Sequence, residues 1–85
     1  MTFDEMTAKR DQIVNKIMQD DRLAAAYESG GDTPQETSFF RKLKSLNQAI
    51  DDEASNDCGC GKNMRMNLIQ SLLKDVENAG NQIFQ

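Results

Sequence analysis

The chain has 85 residues, a hydrophobic fraction of 38% and a net charge of −4. Its length predicts a single domain over residues 1–85, and a domain this small hides only about 60–65% of the surface that its unfolded chain exposes. Its acidity excludes the basic footprint of a protein that grips a phosphate backbone, so we expect no nucleic-acid partner.

The sequence predicts neither export nor membrane insertion. No stretch approaches the roughly 18 apolar residues that a membrane span requires. The first residues, MTFDEMTAKRD, carry acids where a signal peptide carries a basic and then an apolar segment. With only two cysteines, the expected location is the reducing cytoplasm.

The first predicted helix covers residues 3–28. Thr2 and Glu5 have the spacing of a capping box, and apolar residues then recur at helical spacing, although Arg10 interrupts them. The glycines of SGG, residues 29–31, end the pattern. A weakening at QDDR, residues 19–22, leaves open a division into two helices.

The second predicted helix covers residues 34–53. Thr33 can cap it, Pro34 suits its first position, and Glu36 completes a capping box. A heptad-like stripe then follows, formed by Phe39, Leu43, Leu46 and Ile50, with Phe40 beside it. The helix ends on DDE, residues 51–53, which places acids at the negative end of the helix dipole. This acidic end is either a fraying, solvated terminus or a patch for a basic partner or a cation.

The third predicted helix covers residues 64–79, with Asn63 as its cap. Its predicted core face consists of Met66, Ile69, Leu72, Leu73 and Val76, with Leu68 alongside. Ile83 and Phe84 then form an apolar hook at the C-terminus. No alternating strand pattern occurs, so the predicted fold is all-α, a small three-helix bundle or open helical array with short loops.

The cysteine loop, NDCGCGKN at residues 56–63, is the chain's most unusual stretch. Its glycine and lysine positions fit neither a phosphate-binding loop nor a calcium loop. Cys58 and Cys60 could bind zinc with help from Asp57 or from the cysteines of a second chain. They could also form a strained disulfide. The simplest interpretation is a glycine-rich turn that tolerates two cysteines.

Catalysis is not expected from this composition. The chain contains no histidine, which removes the commonest general base and every nucleophile–histidine pair. An 85-residue helical chain also has little room for a ligand pocket of ordinary size.

The sequence therefore predicts a non-enzymatic, acidic, cytoplasmic module that binds another protein or a second copy of itself. Such a chain would suit an assembly, regulatory or structural component, including a phage or virus accessory. The predicted partner-binding residues are apolar: Phe39, Phe40, Leu43, Leu46, Ile83 and Phe84. The alternative is a dimeric module held by zinc or a disulfide at Cys58 and Cys60. Met6, Met18, Met64 and Met66 lie on or near the predicted helical faces. Their simplest role is to fill the core, and the alternative is an adaptable apolar stripe that docks a partner helix.

Overall fold

Four helices make up the fold. A computed structural model describes residues 1–56 and 58–84 and contains α1 (Phe3–Met18), α2 (Asp21–Ser29), α3 (Pro34–Ala54) and α4 (Lys62–Gly80). Within these described residues there is no strand, so the predicted all-α class is confirmed. The molecule is elongated, with extents of 40 × 20 × 19 Å.

The first predicted helix is divided in two, which is the alternative that the sequence left open. α1 begins with the predicted capping box, in which Thr2 and Glu5 bond to each other's backbone N–H groups. Asp20 then adopts an extended conformation, and its carboxylate accepts hydrogen bonds from the backbone N–H groups of Arg22 and Leu23. The break follows because this side chain competes with the helix for backbone donors and starts α2 instead.

The turn between α2 and α3 depends on two glycines. Gly30 and Gly31 have φ angles of 97° and 105°, and both donate a backbone hydrogen bond to the carbonyl of Ala26. A Cβ atom at Gly31 would lie 2.7 Å from the backbone nitrogen of Thr37, whereas one at Gly30 would meet nothing within 4 Å. The turn therefore holds the backbone of α2 close to the start of α3.

α3 begins at Pro34, as predicted, and ends one residue later than predicted, at Ala54. The predicted capping box is only half formed, because the Glu36 carboxylate accepts from the N–H of Asp32 and from Arg22 instead of from the N–H of Thr33. Thr33 accepts a hydrogen bond from the N–H of Glu36, and Pro34 is the first helical residue. α4 begins earlier than predicted, at Lys62, after Gly61 with a φ angle of 73°. Asn63 therefore lies inside the first turn, and its predicted capping role is wrong because the glycine conformation starts the helix before it.

The core lies between all four helices. Its centre contains the predicted α3 stripe, and Phe39 is edge-on to Phe40 with ring centroids 5.2 Å apart. α3 and α4 form the most extensive helix pair, and residues on α4 oppose the α3 stripe. The buried apolar side chains are Met6, Ile17, Leu23, Ala26, Phe39, Phe40, Leu43, Leu46, Ile50, Ile69, Leu73 and Val76.

Arg10, which interrupts the apolar pattern of α1, links three helices. Its side chain is only 19% exposed, and it donates a 2.9 Å hydrogen bond from Nη1 to Oδ1 of Asn47 on α3. Asn47 in turn donates a 3.1 Å hydrogen bond to the hydroxyl of Tyr27 on α2. The Tyr27 ring stacks on Phe40 at 5.5 Å. The polar residue within the seam is therefore a paired structural group.

Glu36 is the buried charged residue among those described, with 4% of its surface exposed. Its carboxylate accepts hydrogen bonds from Arg22 at 2.8 Å and from the backbone N–H of Asp32 at 3.2 Å. The Arg22 guanidinium and then the Asp32 N–H hold the pKa of the Glu36 carboxyl below its usual value. This carboxylate ties α2 and the following turn to the start of α3.

Candidate functional site

The predicted binding stripe on α3 is core. Phe39, Leu43 and Leu46 have no exposed surface, and Phe40 is 5% exposed. In the folded chain these four side chains are covered by the other helices, so a partner cannot reach them unless the bundle opens. Their spacing reflects packing against α4 and the N-terminal helices, and the prediction that they form a leftover surface is corrected accordingly.

The predicted C-terminal hook closes on its own core. Phe84 is half-buried and lies edge-on to Phe39, with ring centroids 5.7 Å apart. A Cβ atom at Gly80 would lie 3.3 Å from the Phe39 ring and 3.4 Å from the Phe84 ring, so both rings pack closely against the end of α4 at this glycine. Lys16 places its ammonium 5.7 Å from the centroid of the same ring. Ile83 is also half-buried against the core.

The exposed apolar surface lies instead on α4. Met64 is 78% exposed and Leu68 is 55% exposed. With the half-buried Leu72, they recur every four residues and lie along one side of the helix. The other exposed large apolar side chains of the described residues are Met18, 52% exposed at the end of α1, and Met1, 51% exposed before α1. None of the six residues in the predicted partner-binding set contributes to this α4 surface, whereas Met64 is one of the methionines that the sequence offered as an alternative interface.

Leu68 and Leu72 provide the α4 apolar lining of an open groove, the apolar floor, between α4 and α3. This α3/α4 groove has a volume of about 520 Å³. Its lining residues are Lys44, Ser45, Gln48, Ala49, Asp52, Arg65, Leu68 and Leu72. The walls are polar and the floor is apolar, which is the usual composition of a site where proteins meet.

Charge is ordered along the α3 wall of the groove. Lys44, Gln48 and Asp52 succeed one another at intervals of four residues and are all exposed. Gln48 donates a 3.0 Å hydrogen bond to the Asp52 carboxylate. The wall is therefore basic towards the middle of α3, where Arg41 and Lys42 are exposed near Lys44, and acidic towards its C-terminal end.

The acidic end of α3 has two different parts. Glu53 forms an ion pair with Arg65 of α4 and is largely covered. Asp51 and Asp52 remain exposed in the last turn of α3, which contains no basic residue. Their negative charges stand at the negative end of the helix dipole, an arrangement that disfavours the helix.

Arg65 also shapes the cysteine loop. It donates hydrogen bonds to the backbone carbonyls of both Cys58 and Cys60. The N–H of Cys60 donates to Cys58 Sγ at 3.3 Å, and both cysteines are free and exposed. A hydrogen bond from the backbone of Cys60 and one from its side chain lower the pKa of the Cys58 thiol, and the nearby positive charge of Arg65 lowers it further. The Cys58 thiol therefore ionises more readily than an unperturbed cysteine thiol.

Metal binding finds no assembled ligand set in the described residues. No group of three or more His, Cys, Asp or Glu side chains is positioned there to hold an ion. Asp57, the additional zinc ligand considered from the sequence, lies outside the described residues. In the same described part of the chain, no helix combines the length and apolar character needed to cross a bilayer.

Comparisons with known proteins add no family. No protein-family model, curated protein or solved structure gives a significant match to this chain. The functional proposals below therefore rest on the geometry of the groove and of the cysteine loop.

Proposed function

We propose that this chain is a non-enzymatic protein–protein interaction module and that its contact surface is the α3/α4 groove together with Met64. The observation that carries the proposal is the exposure of Met64 and Leu68 beside the half-buried Leu72. Single exposed apolar residues are common on protein surfaces, but a row beside a groove is typical of interaction sites. Met64 adds a flexible side chain that adapts to different partner shapes.

Burial of this surface by a partner contributes a binding free energy of a few kcal/mol. Burying a complete leucine or methionine side chain contributes about 1.5–3 kcal/mol. A partner that covers the exposed parts of Met64 and Leu68 therefore gains about 3 kcal/mol from these two residues. The charged wall then selects the orientation of the partner, because interface charges contribute more to specificity than to affinity.

The experiment is site-specific photo-cross-linking in cells. A photoreactive phenylalanine analogue replaces Leu68, and the matched control carries the same analogue at Met18, which is equally exposed outside the groove. We expect defined protein cross-links from position 68 that disappear when Leu72→Lys is added, and none of these products from position 18. Identical patterns at both positions, or no cross-links at position 68, would contradict the proposal.

A second candidate function is thiol–disulfide exchange at Cys58, and the hydrogen bond from the Cys60 N–H to the Cys58 sulfur favours it. The Cys58 thiolate attacks one sulfur of a small disulfide such as oxidised glutathione, whose S–S bond breaks and releases one glutathione thiolate. The mixed disulfide is then attacked by Cys60, or by Cys58 of another chain. Either attack releases the second glutathione and leaves one protein disulfide.

Alkylation rates test the thiol proposal. We expect iodoacetamide to modify Cys58 several-fold faster than Cys60 near neutral pH, because the thiolate is the reactive form. Arg65→Gln removes the nearby positive charge and should reduce this difference. Treatment with oxidised glutathione should produce a mixed or protein disulfide, and Cys58→Ser should prevent the mixed disulfide from accumulating at position 58. Equal alkylation rates with no disulfide product would refute exchange at this loop.

A further inference from the structure

We propose that the occupant of the α3/α4 groove is a second copy of this chain, bound antiparallel about a two-fold axis that passes near Gln48 and Leu68. This inference rests on the proposed function, because it identifies the partner of the same surface. The groove contains what a self-complementary contact needs, since a two-fold interface pairs one surface patch with itself.

The charge order of the α3 wall is self-complementary in this orientation. Lys44 and Asp52 stand eight residues apart on one side of the helix, a separation of about 12 Å at 1.5 Å per residue. A two-fold axis at Gln48, midway between them, packs the α3 walls of the two copies against each other in opposite directions. Each Lys44 then faces Asp52 of the second copy, whereas a parallel pairing would oppose like charges.

The second copy also places positive charge beside the acidic C-terminal end of α3. Asp51 and Asp52 lie exposed in a last turn that has no basic residue of its own. In the antiparallel pair, Lys44 of the other copy supplies the positive charge that favours a helix C-terminus. The exposed Arg41 lies one turn before Lys44 and extends the basic segment. The basic residues of the facing copy therefore offset the acidic charges that disfavour the C-terminal end of the isolated helix.

The apolar floor and the dimensions of the molecule agree with this pairing. Leu68 lies near the axis and meets its counterpart, while Met64 of one copy approaches Leu72 of the other. A stable dimer of standard size buries about 800 Å² from each partner. The long side of the molecule measures 40 × 20 Å, so one such side has the required area.

The experiment is a charge swap read by sedimentation equilibrium. Lys44→Glu and Asp52→Lys each place like charges together at both ends of the contact, so each should raise the dimer dissociation constant about tenfold. The double variant restores opposite charges and should return the constant to within about threefold of the original. Both residues are exposed, and circular dichroism verifies that the variants remain helical.

Matched controls carry the same charge changes outside the groove. Lys9→Glu and Glu28→Lys alter exposed residues of α1 and α2, and neither should change the dissociation constant beyond about twofold. These controls separate a local contact from a general effect of net charge on association.

The outcomes distinguish this inference from the function on which it rests. Rescue by the double variant supports the antiparallel dimer. A chain that stays monomeric, yet cross-links from position 68 to a different protein, overturns the second copy and keeps the interaction module. A dimer whose dissociation constant is unchanged by the charge swap overturns the antiparallel geometry. A monomer without cross-links overturns both proposals.

Discussion

The division of α4 into a buried core face and an exposed face, the proposed binding face, can be tested with one substitution made at two positions. Leu73→Ala truncates a side chain that is 1% exposed, and Leu68→Ala truncates one that is 55% exposed on the same helix. Removing a buried leucine leaves a cavity and costs about 2–5 kcal/mol. Surface substitutions usually remain within about 0.5 kcal/mol.

These magnitudes are large for a chain of this size. A domain of 85 residues has a total stability of about 4–13 kcal/mol at 0.05–0.15 kcal/mol per residue. A loss of about 3 kcal/mol at Leu73 lowers the melting temperature by about 12–24 °C. Leu68→Ala should lower it by less than about 4 °C.

The assay is urea unfolding followed by circular dichroism at a protein concentration where the chain is monomeric. The monomeric state is needed because association stabilises the folded form and would add a dimer contribution at Leu68. Comparable losses for the two variants would refute the assignment of Leu68 to the surface. A larger loss for Leu68→Ala than for Leu73→Ala would place the core on the other side of α4.

Two further predictions concern the turn between α2 and α3. Gly31→Ala should destabilise the fold by more than about 2 kcal/mol, because it combines an unfavourable φ with a backbone clash. Gly30→Ala, which meets only the φ penalty, should cost about 1–2 kcal/mol when both are measured by urea unfolding. Because the Glu36 pKa is lowered in the folded state, the stabilisation from this carboxylate is complete above the unfolded value of about 4.3 and is lost as the pH falls through the lower folded value. Thermal melts in this acidic window should show a steeper loss for the natural chain than for Glu36→Gln, and parallel losses would contradict the assigned role.

Local signals in the sequence are sufficient for most of the helices. The capping box at Thr2, the Thr33-Pro34 start and the glycines after α2 act through neighbouring backbone groups, so their effect can be read without the fold. The division at Asp20 was open because its side chain suits both a helix surface and a cap. Which of the two it adopts depends on the direction that α2 must take to cover the core.

The exposed α4 surface that we propose for binding could not be identified from the sequence with the same rules. Apolar residues on α4 occupy two neighbouring stripes, one through Leu68 and Leu72 and the other through Ile69 and Leu73. Periodicity identifies both stripes but does not state which one the other helices cover. The apolar stripe around Phe39 has the spacing expected of a partner-binding face, but in the folded chain it forms the core. The sequence signal that indicates the α4 surface is the four-residue spacing of Met64, Leu68 and Leu72.

The most direct test of groove occupancy uses two of the exposed methionines, Met64 and Met18, as internal probes. Dilute peroxide converts accessible methionine to its sulfoxide, and Met64 and Met18 are 78% and 52% exposed in the single chain. Peptide mass spectrometry then follows both rates over a range of protein concentrations. If a second copy fills the groove, Met64 oxidation should slow several-fold as concentration rises, while Met18 oxidation stays constant. Rates that remain unchanged for both methionines, up to concentrations far above those where sedimentation is expected to show dimers, would contradict the self-association through this surface.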